Sequence, residues 1–212
     1  GDGKNAGMVR PNAPNANALR LITLDKNNSE GNAFTGAAFV EVKFLRDFKF
    51  TFNVGTGVDG VRHTSMNNMY YGQFATNGGT LYKGHERQFY INMQQLLNYN
   101  RTFGLVHNVD ILLGHETYSR NTTSVAGYKT KLFSDTNLEL GGAVIDGQQA
   151  SSSLSQYNNE GYFIRAQYDY ASRVFVSGSF RRDASSRFHK DHRWGNFWSA
   201  GAGWLINNEP WF

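Results

Sequence analysis

Two short segments of this chain contain histidines at spacings that could suit a metal ion. His115 and Glu116 begin as the helical zinc motif His-Glu-x-x-His does, but position 119 is Ser119, so the second histidine is missing. His189 and His192 follow the spacing His-x-x-His, and the sequence positions no third ligand beside them. We therefore predict no metal site and no cofactor.

Catalytic patterns are also missing. The chain contains no Gly-x-Ser-x-Gly nucleophile elbow and no phosphate-binding Walker loop. No carboxylate stands alone in an apolar stretch that would tune it for acid–base work. Serines and histidines occur, but nothing in the sequence places them together as a triad. We predict that the protein is not an enzyme.

An arginine-rich segment carries two interpretations. Residues 181–188 read Arg-Arg-Asp-Ala-Ser-Ser-Arg-Phe, and guanidinium forks suit phosphate or another anionic substrate. The alternative is a structural network in which Arg181, Asp183 and Arg187 pair with one another in the wall of the fold or at a loop base. We favour the network, and we predict that Asp183 pairs with one of these arginines.

The composition limits the remaining classes of protein. The 212 residues carry a formal net charge of +4, but the basic residues are scattered, so we predict no nucleic-acid binding. There is no cysteine, which excludes a disulfide scaffold and thiolate chemistry. No run of about 18 apolar residues occurs, so we predict no transmembrane helix.

The elements that must position these residues are strands, because seven stretches alternate apolar and polar side chains. In the clearest stretch Phe48, Phe50 and Phe52 point to one face, and Lys49 and Thr51 point to the other. The predicted strands are 34–44, 48–59, 86–100, 107–118, 162–170, 174–183 and 198–206.

The connections alternate between short turns and long polar segments. Residues 45–47, 101–106 and 171–173 make the turns, and residues 60–84 and 119–158 make the long loops. A strand of about ten residues rises ~33 Å and, tilted by ~45°, spans a hydrocarbon layer near 25 Å. Ten charged residues on the strands fall on the inner face, and none falls at the outward positions of the apolar residues, as a barrel in lipid requires. We predict an all-β fold, an antiparallel transmembrane β-barrel segment with short periplasmic turns and long extracellular loops.

A soluble carbohydrate-binding β-sandwich is the alternative, because its strands also alternate. The domain prediction is one barrel domain over 1–212, with a loop region at 1–32 and barrel strands and loops at 33–212. Within the loop region, residues 19–24 are predicted as a strand end. Residues 208–212 read as a turn that leads onward, because Pro210 cannot donate to a strand ladder. We expect the chain to be cut there.

The last quarter of the chain resembles a known family. Residues 161–170 read Gly-Tyr-Phe-Ile-Arg-Ala-Gln-Tyr-Asp-Tyr and precede the arginine-rich segment, and Arg-Trp-Gly and Gly-Trp follow. This pattern resembles the SusC/RagA-type TonB-linked (TonB-dependent) outer-membrane transporters of Bacteroidetes. Ala184 replaces the family's usual glycine, and Asn196 replaces an aromatic residue. The motif residues, to which we assign a structural role, are Arg181, Arg182, Asp183, Ser185, Ser186, Arg187, Phe188, Arg193, Trp194, Gly195 and Trp204.

The resemblance implies a 22-stranded barrel in the outer membrane of a Gram-negative bacterium, of which this chain is a part. It implies contact with outer-membrane lipid and a SusD-like surface lipoprotein as partner. It further implies energy supplied by the TonB complex through an N-terminal region that this sequence lacks, as it lacks the plug domain. The implied function is nutrient import, with an oligosaccharide or peptide as cargo.

Aromatic residues among asparagines and glutamines are candidates for contact with cargo or partner. Such a composition stacks on sugar rings or lines a peptide channel. The alternative, which we favour, is that these residues pack the loops on each other or on the lipoprotein. The candidates are Tyr70, Tyr71, Phe74, Tyr82, Tyr157 and Trp194.

Overall fold

Strands make up most of the chain. The computed structural model describes residues 18–209 and residue 211, apart from the side chains of residues 18 and 145–149. Within that part there is one α-helix, α1 (Ala18–Leu24), and single 3₁₀ turns lie at Ala75–Asn77, Leu140–Gly142, Lys190–His192 and Ile206–Asn208. The strands are β1 (Lys26–Phe44), β2 (Phe48–Asn67), β3 (Thr80–Phe103), β4 (His107–Leu132), β5 (Ala143–Tyr170), β6 (Val174–Ser185) and β7 (Trp194–Trp204).

All seven strands belong to one sheet in the order β1-β2-β3-β4-β5-β6-β7. The sheet is a meander, in which each strand pairs with its neighbours in sequence, and the β5–β6 and β6–β7 pairs are antiparallel. The all-β prediction of seven long strands is confirmed. The sandwich alternative is wrong, because the described residues form no second sheet to face the first. No helix in the described part of the chain has the length and apolar character needed to cross a membrane.

Strand register confirms the predicted faces for the last three strands. Ile164 on β5 lies opposite Phe180 on β6, which lies opposite Trp198 on β7. These three residues, all predicted to point outward, therefore share one face of the sheet. Arg165, Ser179 and Ser199 are likewise in line on the inward face, where the hydroxyls of the two serines are 2.7 Å apart. Each strand therefore presents apolar side chains to one side and polar side chains to the other.

The outward apolar side chains are exposed rather than packed. Trp198 is 82% exposed and Val176 is 49% exposed. Among the described residues, the buried apolar side chains are Met66, Leu81, Leu132 and Ala143, which form one small cluster. A water-soluble sheet would cover its apolar face with a core, so this face is suited to a hydrocarbon surrounding.

The chain divides into two compact units. The turn unit comprises Thr35–Gly57, Phe89–Asn121 and Gln156–Phe212, and it contains the three tight turns. The loop unit comprises the residues up to Phe34 together with Val58–Gln88 and Thr122–Ser155. The buried apolar cluster belongs to the loop unit, and Met69, Leu138 and Leu140 pack against it.

The predicted long loops are largely wrong, because strands continue into them. Instead of a loop over 60–84, β2 runs on to Asn67 and β3 begins at Thr80. Instead of a loop over 119–158, β4 runs on to Leu132 and β5 begins at Ala143. A strand with water on both sides keeps its backbone ladder but needs no apolar face, so the period-two signal disappears before the strand ends.

The predicted loop region at 1–32 is also wrong where it is described. Residues 18–24, predicted as loop or strand end, form α1, and β1 begins at Lys26. The helix is held in the loop unit by the guanidinium of Arg20, which lies 4.4 Å from the centroid of the Tyr71 ring. Asp25 follows the helix and accepts hydrogen bonds from Asn68 N at 2.9 Å and Asn68 Nδ2 at 2.6 Å. Residues 1–17 and the predicted strand-breaking Pro210 lie outside the described residues, as does Phe212.

The predicted tight turns are present, and two of the three use left-handed backbone without glycine, whereas the turn after β3 places Gly104 there with φ of 54°. Leu45 and Arg46 have φ of 48° and 62°, and Ala171 and Ser172 have φ of 50° and 54°. A left-handed pair suits a hairpin, because its twist matches the right-handed twist of the flanking strands. Each such residue costs roughly 1–2 kcal/mol relative to the right-handed region, which the paired strands must offset.

A matched pair of lysine substitutions on β6 tests the two faces. We expect Val176→Lys to impair assembly of the full-length protein that contains this section, because a lysine facing hydrocarbon costs about 2–4 kcal/mol. Ser177→Lys is the control on the inward face and should assemble normally. Assembly is measured as the folded, heat-modifiable fraction on unheated gels. Equal assembly of both variants would contradict the assignment of hydrocarbon to the outward face.

Candidate functional site

An open cleft of about 840 Å³ lies on the inward face of the turn unit. The strands β2 to β7 all contribute residues to it. A hydrogen-bonded row crosses its floor: Asn53 Nδ2 donates to Gln94 Oε1 at 2.9 Å, and Gln94 Nε2 donates to Glu116 Oε1. Polar side chains from separate strands thus meet because all of them sit at inward positions of the alternation.

Arg181 ends this row between two carboxylates. Its NH2 group donates to Glu116 Oε2 at 2.7 Å, and its Nε donates to both carboxylate oxygens of Asp183 at 2.8 Å. The predicted pairing of Asp183 with an arginine of the segment is therefore present. The Arg181 side chain is 43% exposed, so each pair is worth little alone, but the shared guanidinium fixes three side chains together.

Arg181 reaches Glu116 across an intervening strand, and Gly161 makes the crossing possible. Arg181 is on β6 and Glu116 is on β4, while Gly161 on β5 lies opposite Asp183. A Cβ at Gly161 would lie 2.4 Å from Asp183 Oδ1 and 3.2 Å from Arg181 NH2. The glycine that opens the family-like segment therefore provides the space for the ion pairs of the arginine-rich segment.

Three tyrosines form an aromatic row along the same face. The ring centroids of Tyr90 and Tyr118 are 6.3 Å apart, and those of Tyr118 and Tyr157 are 6.0 Å apart. The Tyr90 ring covers Gly57, where a Cβ would lie 2.3 Å from the ring. The row crosses β3, β4 and β5 within the turn unit. The Tyr90 and Tyr118 rings are stacked, whereas the Tyr118 and Tyr157 rings meet edge to face at an interplanar angle of 62°.

The glycine beneath this row belongs to a misleading sequence pattern. Residues 55–60 read Gly-Thr-Gly-Val-Asp-Gly, which matches the letters of a dinucleotide-binding fingerprint. That fingerprint requires a turn that opens a helix, whereas these residues lie within β2. Gly55 instead leaves space for Asn92, whose Oδ1 would be 2.3 Å from an added Cβ.

Two arginines stack on the last tyrosine of the row. The guanidinium carbons of Arg120 and Arg187 lie 5.6 Å and 5.1 Å from the Tyr157 ring centroid. Arg187 thus does not join the predicted network with Asp183, because it lies over an aromatic ring instead. Tyr90, Tyr118 and Arg120 were not singled out from the sequence, although the inward position of Glu116 places Tyr118 and Arg120 on the same face.

The six aromatic candidates for cargo contact are not brought together. Tyr157 lines the cleft of the turn unit, whereas Tyr70, Tyr71, Phe74 and Tyr82 belong to the loop unit. Trp194 borders the cleft, but its ring lies against outward side chains, 6.1 Å from Tyr162 and 5.0 Å from the guanidinium of Arg182. A role of these residues in cargo contact stays a prediction.

The ring of Trp194 belongs to a polar and aromatic cluster on the outward face. The rings of His115 and Tyr162 stack with centroids 4.5 Å apart. Glu160 Oε1 accepts a hydrogen bond from the Tyr162 hydroxyl at 2.7 Å and lies 3.2 Å from His115 Nε2. Amphipathic rings and ionisable groups gather where a lipid-facing surface meets water, so we name this group the interface cluster (His115, Glu160, Tyr162, Arg182 and Trp194).

The other residues of the arginine-rich motif shape the loop that follows β6. Ser186 Oγ accepts a hydrogen bond from Asn158 N at 2.9 Å, and Arg193 Nε donates to the carbonyl of Phe188 at 3.1 Å. Ser185 N donates to the carbonyl of Arg193 at 3.2 Å. Trp204, at the far end of β7, donates from Nε1 to Glu209 Oε1 at 3.0 Å. Gly195 lies opposite Asp183 and lines the cleft.

The histidines considered as metal ligands have other contacts. His115 belongs to the interface cluster and its Nδ1 lies 2.7 Å from Gln95 Oε1. His189 Nδ1 lies 3.3 Å from Asp191 Oδ2, on side chains that are mostly exposed.

Gly161→Ala tests whether the contact between Arg181 and Glu116 requires a residue without a side chain at position 161. We expect it to destabilise the full-length protein by about 1–3 kcal/mol, because the added Cβ displaces the Arg181 and Asp183 side chains. Gly203→Ala is the control on the same face, since its Cβ would meet nothing nearer than the Phe175 Cβ at 3.9 Å. Thermal unfolding in detergent measures the difference. A Gly161→Ala protein as stable as Gly203→Ala would contradict the steric account.

Comparison with known proteins gives close matches in sequence and in fold, although no family model matches. The chain is 30% identical over 210 residues to the TonB-dependent receptor SusC of Bacteroides thetaiotaomicron, covering 94% of this chain and 19% of that protein. It is 25% identical over 221 residues to the TonB-dependent receptor P39 of Formosa agariphila, covering 95% of this chain and 20% of that protein.

The fold comparison agrees with the sequence comparison. The structure of the RagAB peptide transporter matches with a TM-score of 0.84 and 18% identity, covering 90% of this chain and 22% of that chain. The chain thus spans about one fifth of the length of the proteins it matches. These proteins are receptors and transporters rather than enzymes, in agreement with the sequence analysis. By sequence and by fold, the chain is similar to part of a SusC/RagA-type TonB-dependent receptor.

Proposed function

We propose that this chain is a section of an outer-membrane importer that takes up oligosaccharides or peptides together with a SusD-like surface lipoprotein. The observation that carries the proposal is the opposite chemistry of the two sheet faces in the turn unit. The outward face exposes Val176, Ile164 and Trp198, while the inward face carries a cleft with hydrogen-bonding and charged side chains. A lipid-embedded wall of a polar channel requires this division.

The interface cluster supports the placement of the wall in a membrane. Tyr170 adjoins a tight turn, and Glu160 of the interface cluster lies ten positions before it on β5. Ten residues of strand rise ~33 Å and, tilted by ~45°, span about 23 Å. The apolar part of the outward face therefore has the height of an outer-membrane hydrocarbon layer, with aromatic residues at both of its edges.

The same assignment orients the importer. Within the turn unit, the three tight turns lie on the periplasmic side and the cleft lies towards the cell exterior. The energy comes from the TonB complex, which acts through an N-terminal region that precedes this section in the full-length receptor. The names of the similar proteins support this proposal, because two of them are TonB-dependent receptors and one is a peptide transporter.

Cell fractionation and uptake test the proposal together. We expect the full-length protein in the outer-membrane fraction, and we expect deletion of its gene to abolish growth on the oligosaccharide or peptide mixture that it imports. Because import needs the proton-motive force, a protonophore should stop uptake through the receptor while small solutes still enter through porins. A full-length protein found in the soluble periplasm would end the proposal.

A further inference from the structure

We infer that the outward face of the turn unit holds a site for one membrane lipid with an anionic phosphate headgroup. In this site Arg182 binds the phosphate, and an apolar groove beside it receives an acyl chain. The inference rests on the proposed function, because the outward face meets lipid only if this section lies in a membrane. It goes beyond general contact with lipid, since it names one place on the wall and the headgroup chemistry that this place selects.

A groove of about 550 Å³ lies in the outward face of the turn unit, and we name it the outward groove. Three of its lining side chains, Leu113, Ile164 and Phe180, are between 40% and 45% exposed, so the groove is open to its surroundings. Small-ligand sites have volumes of about 300–1,000 Å³, and apolar walls suit a hydrocarbon chain. The apolar lining comes from β2 to β6 and consists of Phe50, Leu97, Leu113, Ile164 and Phe180.

One end of the outward groove is polar. Tyr162 lies opposite Arg182 in the pairing of β5 with β6. The ring of His115 stacks on that of Tyr162, and His115 Nδ1 lies 2.7 Å from Gln95 Oε1. All four residues line the groove, and each lies two positions farther from the tight turn than the nearest apolar lining residue of its own strand. The groove thus passes from apolar to polar in one direction, as a lipid does from its acyl chain to its headgroup.

The polar end lies near the edge of the hydrocarbon layer. Tyr162 stands eight positions before Tyr170, which adjoins a tight turn. Eight residues of strand rise ~26 Å and, tilted by ~45°, reach about 19 Å above the turn. The long side chain of Arg182 can extend its guanidinium further, towards the level of the headgroup phosphates.

Arg182 is held in a form that is ready for an anion. Its side chain is exposed, and its guanidinium carbon lies 5.0 Å from the centroid of the Trp194 ring. Within the described part of the chain, no carboxylate pairs with it. A cation beside hydrocarbon is unfavourable unless it reaches water or an anion. Stacking on Trp194 fixes the guanidinium and leaves its in-plane N–H groups available to two oxygens of one phosphate.

The neighbouring charges leave Arg182 available. Glu160 Oε1 already accepts a hydrogen bond from the Tyr162 hydroxyl at 2.7 Å and lies 3.2 Å from His115 Nε2. Both ring nitrogens of His115 therefore face oxygen atoms, one of Glu160 and one of Gln95 in the orientation that its amide has here. Only the imidazolium form can donate to both. Because that form offsets the Glu160 carboxylate, Arg182 gives the polar end a net positive charge.

The experiment measures lipid binding to the purified full-length receptor in detergent by native mass spectrometry. The probes are phosphatidylglycerol, phosphatidylcholine and diacylglycerol with identical acyl chains, and glycerol phosphate serves as the headgroup without acyl chains. We expect the first bound phosphatidylglycerol to have an affinity about tenfold or more above that of diacylglycerol, because it adds a charge-assisted bidentate contact. Phosphatidylcholine should bind more weakly than phosphatidylglycerol, since its ammonium group offsets its phosphate.

Matched variants test the headgroup contact. Arg182→Gln should abolish the preference for phosphatidylglycerol over diacylglycerol. Arg165→Gln is the control, because it removes a cation from the inward face of β5 and should leave that preference unchanged. Arg182→Lys keeps the charge but loses the planar fork, so it should show a reduced preference, and it keeps the test open if Arg182→Gln fails to assemble.

A second pair of variants tests the outward groove. Ile164→Trp fills the groove with apolar atoms, so it should assemble in a membrane but bind phosphatidylglycerol more weakly. Val176→Trp is the control, because it makes the same kind of change on the outward face at a residue that does not line the groove.

Each outcome decides the inference. Equal preference for phosphatidylglycerol in the wild type and Arg182→Gln would overturn the headgroup contact, and equal affinities of Ile164→Trp and Val176→Trp would overturn the groove. Displacement of bound lipid by glycerol phosphate at equal concentration would replace the lipid with a free phosphate ester and also overturn the inference. If any of these occurs while the receptor fractionates with the outer membrane and its uptake needs the proton-motive force, the proposed function stands and this inference falls.

Discussion

Backbone hydrogen bonding between neighbouring strands is the constraint on which the rest of this structure depends. The described residues bury only a handful of apolar side chains, all of them in the loop unit, so the turn unit is not held together by a hydrophobic core. In hydrocarbon an unpaired N–H or C=O group costs several kcal/mol, and the meander satisfies these groups strand by strand. The polarity of the side chains can then match the surroundings of each face, apolar on one and polar on the other, which explains the alternation.

Arg181 shows how side chains on the polar face add to this ladder. Its guanidinium joins β4 to β6 over the strand between them, and the glycine on that strand has no other evident purpose. The two sequence segments that resemble the transporter family are therefore parts of one contact, although some twenty positions separate their key residues. A motif of this kind need not mark a binding site, because its glycine can serve to leave room for the side chains of its charged residues.

The sequence predicted turns and strand faces correctly where apolar and polar side chains alternate. The tight turns at Leu45 and Ala171 and the faces of β5 to β7 follow from alternation alone. The ends of β2 and β4 do not alternate apolar and polar side chains, so they carried no signal and were predicted as loops. The outward side of Trp194 follows from its even spacing to Trp198 once β7 begins at Trp194 rather than at the predicted position 198. The stacking of Arg187 on Tyr157 depends on register between distant segments, which local spacing does not encode.

The interface cluster also has a consequence for where such a protein can reside. Its distance from the tight turns corresponds to a hydrocarbon layer of about 23 Å, whereas a typical bilayer core is about 30 Å thick. In a thicker bilayer the cluster of His115, Glu160 and Arg182 would be drawn below the headgroups, or the lipid would have to thin around it. Hydrophobic mismatch would therefore favour a hydrocarbon layer nearer 23 Å than 30 Å in thickness around this sheet.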